Sequence, residues 1–423
     1  MMTAESQMTV PGYVRCTSKA SSLRAAPPVA ALAFSEIRRR AVLNGCKWDP
    51  QVGDIDTLAS FPLIMSTREW QHLADQAEQL TAEAIAAEDE ISHCPELLNH
   101  LGLPRALRNV LADGAPLTSA ACRVMRFDFH HTTEGWKISE ANSDVPGGFS
   151  EASYFTALMA EHFPELRPAG NPAEVWSQAL AAAAGSNGIV ALLSAPGYME
   201  DHQVLAFLAN KLREHGCQAY LAKPEQIRWL DGKAHLAVTC YRGPVDAILR
   251  FYQAEWLARL PQRFQWEYFF RGGQTPVANP ALAVISESKR FPVLWDRLSI
   301  KLPTWRALLP ETCDPREAPW DRDQSWLLKT AMCNNGDTVS IRELMRPSEW
   351  LRTRVAVRLS PRNWIAQRRF DSLPLSTPAG PRHVCVGVYT VNGKAAGAYG
   401  RLSEKLVIDF AAADVALLLE DDE

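Results

Sequence analysis

Residues 126–148, RFDFHHTTEGWKISEANSDVPGG, constrain this chain more than any other stretch. Two alternating segments flank Thr133-Glu134-Gly135, which predicts an antiparallel hairpin. With those three residues as the loop and Gly135 in the left-handed position, Asp128 stands across from Glu140 and Arg126 across from Asn142. Residues two apart on a strand share a face, so these four side chains converge on one side. Phe127, Phe129 and Ala141 point to the other.

That convergence has a chemical meaning. Asp128, Glu140 and Asn142 offer oxygen donors and no nitrogen or sulfur ligand, the set that magnesium prefers. Arg126 beside them is suited to clamp a phosphate or acyl phosphate. The same alternation is equally compatible with a solvated strand face carrying one ion pair. Without a metal, two carboxylates this close are expected to repel, raising one pKa and making Glu140→Gln neutral or slightly stabilising. His130 and His131 are adjacent, so they face opposite sides and cannot act as one bidentate unit.

The rest of the chain frames this hairpin. Its 423 residues fit two or three lobes. A formal net charge of −4 without a basic stripe excludes a nucleic-acid partner, and no apolar run is long enough to span a bilayer. Nine cysteines without a CxxC pair read as reduced thiols of a cytoplasmic protein. Residues 1–30 read as a loose tail and 31–122 as a helical region. There a helix starts at Ser66, which has capping-box spacing to Glu69. Trp70, Leu73, Ala77, Leu80 and Ala84 form its apolar stripe, and Glu78, Glu83 and Asp89 a solvated face. A helix is expected over Glu151–Ala160. Strands at Ile189–Leu193, Gln218–Leu221 and Val245–Phe251, with a helix through Val204 and Leu212, predict a parallel-sheet lobe over 166–280. The last part, 281–423, reads as antiparallel sheet with helices. Its strands are Trp326–Lys329, Trp364–Gln367 and Val384–Val391, the last turning at Asn392-Gly393 into Lys394–Tyr399. The fold class is thus α/β plus α+β.

The pattern R-x-D, hairpin, E-x-N-x-D-x-P resembles the metal-binding segment of the glutathionylspermidine synthase family, which are circularly permuted ATP-grasp ligases. The likeness extends more weakly over about residues 60–423, through VDAILRFYQAEWL, NPALAVISESKRFPVLWD and LPTWRALLPET. It implies an ATP-grasp nucleotide lobe at 281–423, with the metal-binding hairpin at 123–165 supplied from early in the chain. It implies that Arg126, Asp128, Glu140 and Asn142 hold ATP phosphates and Mg2+. WLLKTAMCNNGDTVS resembles the lysine strand and phosphate loop, which points to Lys329, Asn335 and Gly336. That loop has a single glycine, and Thr330 stands where a proline is usual. Lys289 resembles the second nucleotide lysine, Gln367 in WIAQRRF the adenine-facing residue, and Arg401 in GKAAGAYGRLS a phosphate-facing arginine. Each has a plainer alternative: Lys329 as a strand-end cation reaching for water, and Lys289, Gln367 and Arg401 as surface side chains.

Glu200-Asp201 resembles an acidic pair that the family uses near its substrates; it also suits a helix N-terminus. Val145, Gly147 and Gly148 stand where the family carries hydroxyl residues, which argues against glutathione and spermidine as substrates. The resemblance implies an ATP- and Mg2+-dependent ligase joining a small-molecule or peptide carboxylate to an amine. The alternatives are a phosphotransferase on the same scaffold and an ATP-binding regulatory protein of weak activity.

Overall fold

The computed structural model describes residues 21–52, 55–113, 121–332, 339–409 and 411–422. Helix Thr67–Ser92 begins as its sequence dictates, with Glu69 N–H donating to the Ser66 hydroxyl at 3.2 Å. The reciprocal half of the capping box is made differently. Ser66 N–H donates to Ser22 Oγ at 2.9 Å, while the Glu69 carboxylate accepts from Ser21, Ser22 and Trp136. This corrects the expected tail to residue 30. Ser21 and Ser22 are tied down, and Arg24–Ala25 pairs with strand Leu63–Ser66. Residues 1–20 lie outside the described residues. The acidic face of the helix is corrected too. Glu78 binds Lys394 Nζ at 2.8 Å, and Glu83 accepts the Thr304 N–H at 3.0 Å, so both carboxylates serve neighbouring elements. The apolar stripe is buried as its period requires, and Thr81 meets Thr390 of the main sheet at 2.8 Å.

That sheet has six strands. Val124–Thr132 and Gly135–Asn142 form one edge, followed by Gly380–Val391, Lys394–Ser403 and Ala413–Val415, with Leu375–Thr377 also pairing to Gly380–Val391. Asn392 and Gly393 both take positive φ, 48° and 81°, the requirement of a tight two-residue hairpin turn. A three-stranded antiparallel sheet places Trp364–Arg368 between Thr312–Cys313 and Trp326–Thr330. The region 281–423 therefore divides between sheets. Its last strand, Leu417–Glu420, leaves it altogether and pairs in parallel with Leu63–Ser66.

The parallel sheet runs Val277–Ala278, Ala247–Phe251, Ile189–Ser194, Gln218–Ala222. Helix Met199–Glu214 links two of these strands and ends before Gly216, whose φ of +81° suits glycine. Expected helix Glu151–Ala160 opens with a wider π-type turn, Glu151–Phe155, before regular helix Thr156–Ala160. No helix among the described residues is long and apolar enough to cross a membrane.

Candidate active site

The hairpin register is the expected one, Arg126 opposite Asn142 and Asp128 opposite Glu140, but it arises differently. The loop is one residue shorter, with Thr132 paired directly to Gly135. A bulge restores the count: Phe129 pairs with Ile138 and Asp128 with Glu140, leaving Ser139 extra. The unpaired Ser139 carbonyl accepts Lys329 Nζ at 3.0 Å, tying the hairpin to strand Trp326–Thr330. Phe127, Phe129 and Ala141 enter the core on the opposite face.

Two cavities meet along this hairpin. The first lies between the two antiparallel sheets. Arg126, Asp128, Glu140 and Asn142 face it from one side, Lys329 and Gln367 from the other, and Arg401 closes it. The second shares Arg126, Asn142 and Arg401 as a common wall. Beyond that wall stand Glu200 and Asp201, at the start of helix Met199–Glu214, with Lys47, Glu151 and Asp414. Lys289 lines a smaller recess with Glu140, Lys329 and Gln367. Asn335 and Gly336 lie outside the described residues.

For Lys329, Gln367 and Lys289 the surface alternatives fail on burial. Lys329 and Gln367 are each 4% exposed and Lys289 8%, so none reaches into open water. Gln367 donates its amide to Thr312 Oγ1 at 2.9 Å, and Arg401 donates to the Asp409 carbonyl at 2.9 Å. Charge compensation replaces the expected repulsion of the carboxylates. Arg126 Nε and Nη2 donate to the two oxygens of Asp128 at 2.7 and 3.0 Å. Glu140 Oε2 lies 3.1 Å from Lys289 Nζ. Burial alone would push the Glu140 carboxyl up; Lys289, then Lys329 and Arg126, overcome this and hold it well below the usual carboxylate range. The expected neutral or stabilising effect of Glu140→Gln does not follow from this arrangement.

The oxygen donors suit a divalent cation by type and by shared face. Asp128, Glu140 and Asn142 would hold it, in place of the cations now paired with the two carboxylates. Among the described residues, no group of three or more His, Cys, Asp or Glu forms a metal cluster. A cation at this face would therefore draw on the Asn142 amide as well as on the two carboxylates.

Several residues escaped sequence reasoning. Asp144, the aspartate of the E-x-N-x-D pattern, lines neither of these two cavities and pairs with buried Arg250. Lys47 gathers Glu151, Asp49 and Asp414 at 2.7, 3.2 and 3.2 Å, and Glu151 and Asp414 come from segments too far away in the chain for any spacing signal. His130 enters the first cavity alone, its Nε2 3.1 Å from Ser139 Oγ. Burial pushes its pKa down to about 4, so the ring is neutral at pH 7. Gly148 has φ +85°, and a Cβ there would stand 2.6 Å from the hydroxyls of Tyr389 and Tyr399. The tyrosine hydroxyls thus take the space that a larger residue at position 148 would need.

Asp201 is buried, and its Oδ2 meets no hydrogen-bond donor among the described residues. Burial, and then Glu200, raises its pKa to about 7. The folded value lies above the unfolded one, near 3.9, so the native state holds the extra proton and stability falls as pH rises from about 4 to 7. Asp201→Asn is expected to remove that slope and to exceed the parent at pH 8 by about 1–3 kcal/mol. Thermal melts at pH 5 and pH 8 test this; an unchanged slope would mean Asp201 ionises normally.

The family model described as glutathionylspermidine synthase preATP-grasp matches residues 45–419. The chain belongs to the glutathionylspermidine synthase preATP-grasp family. The match to that family spans every residue named above in both cavities, from Lys47 to Asp414. No curated protein sequence matches the chain. A glutathione synthetase-like effector (GSS30) from Globodera pallida, in apo form, has the same fold. Its TM-score is 0.63 at 11% identity, covering 92% of this chain and 96% of that one. A structure described as a putative gamma-glutamylcysteine synthetase from Methylobacillus flagellatus KT matches at TM-score 0.36 and 13% identity, over 77% of this chain and 82% of that one. D-alanyl-alanine synthetase A from Vibrio cholerae O1 biovar eltor str. N16961 matches at 0.33 and 12%, over 52% and 69%.

Proposed function

We propose that this protein is an ATP- and magnesium-dependent ligase that joins a carboxylate to an amine, on a circularly permuted ATP-grasp scaffold with the parallel sheet as its pre-ATP-grasp lobe. One observation carries the reading. A single hairpin face, Arg126 to Asn142, borders a cavity between two antiparallel sheets and a second, charged cavity at once. Reaction between a nucleotide and a second substrate needs such a shared wall.

ATP would lie in the first cavity, with Lys329 and Lys289 toward its phosphates and Gln367 toward its base. Asp128, Glu140 and Asn142 would hold magnesium, which would supply neutralisation of phosphate charge. A carboxylate oxygen in the second cavity attacks the γ-phosphorus, ADP leaves, and an acyl phosphate results. The amine nitrogen then attacks the acyl carbon, the bond to phosphate breaks, and the amine loses a proton. Arg126 and Arg401, on the common wall, stabilise the transferring phosphoryl group by position and charge. Apart from Asp201, which holds its proton to about pH 7, Asp49, Glu151, Glu200 and Asp414 outnumber Lys47, Arg126 and Arg401 around the second cavity, four carboxylates against three cations. That balance supports an amine as one substrate and gives Glu200 and Asp201 the role of receiving it.

The test is ADP formation with panels of amino acids, short peptides and polyamines. ADP release is expected only when a carboxylate and an amine are both present. Release with a single hydroxyl or carboxylate acceptor would mark a phosphotransferase. Nucleotide binding without any turnover would favour a regulatory protein. Absence of any melting shift with millimolar ATP and Mg2+ would sink the whole reading.

A further inference from the structure

We propose that the amine substrate carries an uncharged apolar or aromatic arm, which runs past Tyr198 into a separate cavity of about 380 Å³ beside the charged one. This rests on the ligase reading above, which sets the amine against Glu200 and Asp201. Tyr198 lines both cavities and forms their common border. The fold places the apolar cavity where parallel sheets receive ligands, outside the carboxyl ends of the strands. Ser194 and Ala222, the last residues of strands Ile189–Ser194 and Gln218–Ala222, line it. The first turn of helix Met199–Glu214 divides the two cavities. Glu200 and Asp201 line the charged one. Met199 and His202, three residues apart and so on one helix face, line the apolar one.

The two walls differ in chemistry. The charged cavity holds Asp49, Glu151, Glu200 and Asp414. Among the described residues, the lining of the apolar one has no Asp or Glu, and Lys223 is its single Lys or Arg. The Gln226 side chain there already accepts the Lys223 N–H at 2.9 Å. Most of the remaining wall is carbon, from Ala195, Pro196, Tyr198, Met199, Leu221 and Ala222, and gains from being covered by carbon. Met199 is 55% exposed and Tyr198 38%, so two large apolar side chains stand in water at the border of the cavities. An alkyl or aryl arm covers both. A polyamine would instead bring a second ammonium to this wall, where no carboxylate receives it and Lys223 repels it. The arm that fits is therefore uncharged.

The full-length protein tests this, with propylamine, hexylamine, phenylbutylamine and spermidine as probes and ligand-observed NMR titration as the readout. Hexylamine and phenylbutylamine are expected to bind roughly tenfold tighter than propylamine or more, since each buried methylene adds up to about fourfold. Spermidine is expected to bind more weakly than phenylbutylamine. Met199→Asp sets a carboxylate on the exposed border. It is expected to weaken phenylbutylamine by roughly tenfold and to tighten spermidine. A general lesion would weaken both. Lys223→Glu, at another exposed position, serves as the second variant with the same expected reversal. The parent series decides whether or not a variant folds. Affinity independent of the arm overturns the proposal, as does a parent that prefers spermidine, or variants that shift both amines alike. The ligase reading survives each of these results if ATP and Mg2+ still shift the melting curve, and its own failure shows as the absence of that shift.

Discussion

Asp144→Ala is expected to destabilise this protein by about 3–5 kcal/mol, the cost of breaking a buried ion pair from one side. The Arg250 side chain is fully enclosed and Asp144 is 2% exposed, and the two are hydrogen-bonded. Asp144 Oδ2 also accepts the Ala254 N–H at 2.9 Å, and Arg250 Nη1 donates to the Tyr252 carbonyl at 2.7 Å. Arg250 also stacks over Phe270 at 5.7 Å. Removing the carboxylate leaves a buried guanidinium without its hydrogen-bonded counter-ion. The pair joins the exit of the hairpin to strand Ala247–Phe251 of the parallel sheet, so its loss also loosens the wall on which Asn142 sits. Urea denaturation of the variant measures the effect. A double variant, Asp144→Leu with Arg250→Met, is expected to recover much of the loss, because it removes both charges. A single-variant loss below about 1 kcal/mol would show that Arg250 is solvated after all.

Lys329→Ala is expected to weaken ATP binding by roughly 10- to 100-fold, the worth of a charge-assisted hydrogen bond to phosphate. The lysine is 4% exposed, faces the first cavity and donates to the Ser139 carbonyl at 3.0 Å. Losing the bond to the Ser139 carbonyl should cost about 1–2 kcal/mol of stability. Binding and folding should therefore separate: calorimetry shows a large loss of affinity while the melting curve shifts little. A variant that binds ATP like the parent would reduce Lys329 to an anchor between two sheets. A variant that unfolds would assign it to the fold rather than the ligand.

Much of this was legible because it is local. The stripe of Trp70, Leu73 and Ala77 follows from a 3.6-residue period and needs no knowledge of its neighbours. Asn392-Gly393 names its own turn, since both positions require positive φ. The hairpin register was right although its loop was not. The shorter loop and the bulge at Ser139 cancel, and the alternation of buried Phe127 and Phe129 with polar Arg126 and Asp128 tolerates only a register that keeps both faces. Where local reasoning erred, a distant segment had intervened. Ser22 took half of the Ser66 cap, and Lys394 and Thr304 took the carboxylates that had looked solvated.

The sequence by itself determined which side chains share a face: Arg126, Asp128, Glu140 and Asn142 converge because strand geometry has a period of two. Only the tertiary structure decided what those side chains meet. Lys329 reaches the bulge from 190 residues away, Lys289 neutralises Glu140, and Arg250 claims Asp144. The reason is physical. Periodicity is a property of the backbone and survives in any window of sequence, whereas the charge state of a buried carboxylate depends on distances in space to cations that the chain brings in from elsewhere. Two carboxylates that look repulsive in one dimension are, in three, each held by a cation of their own.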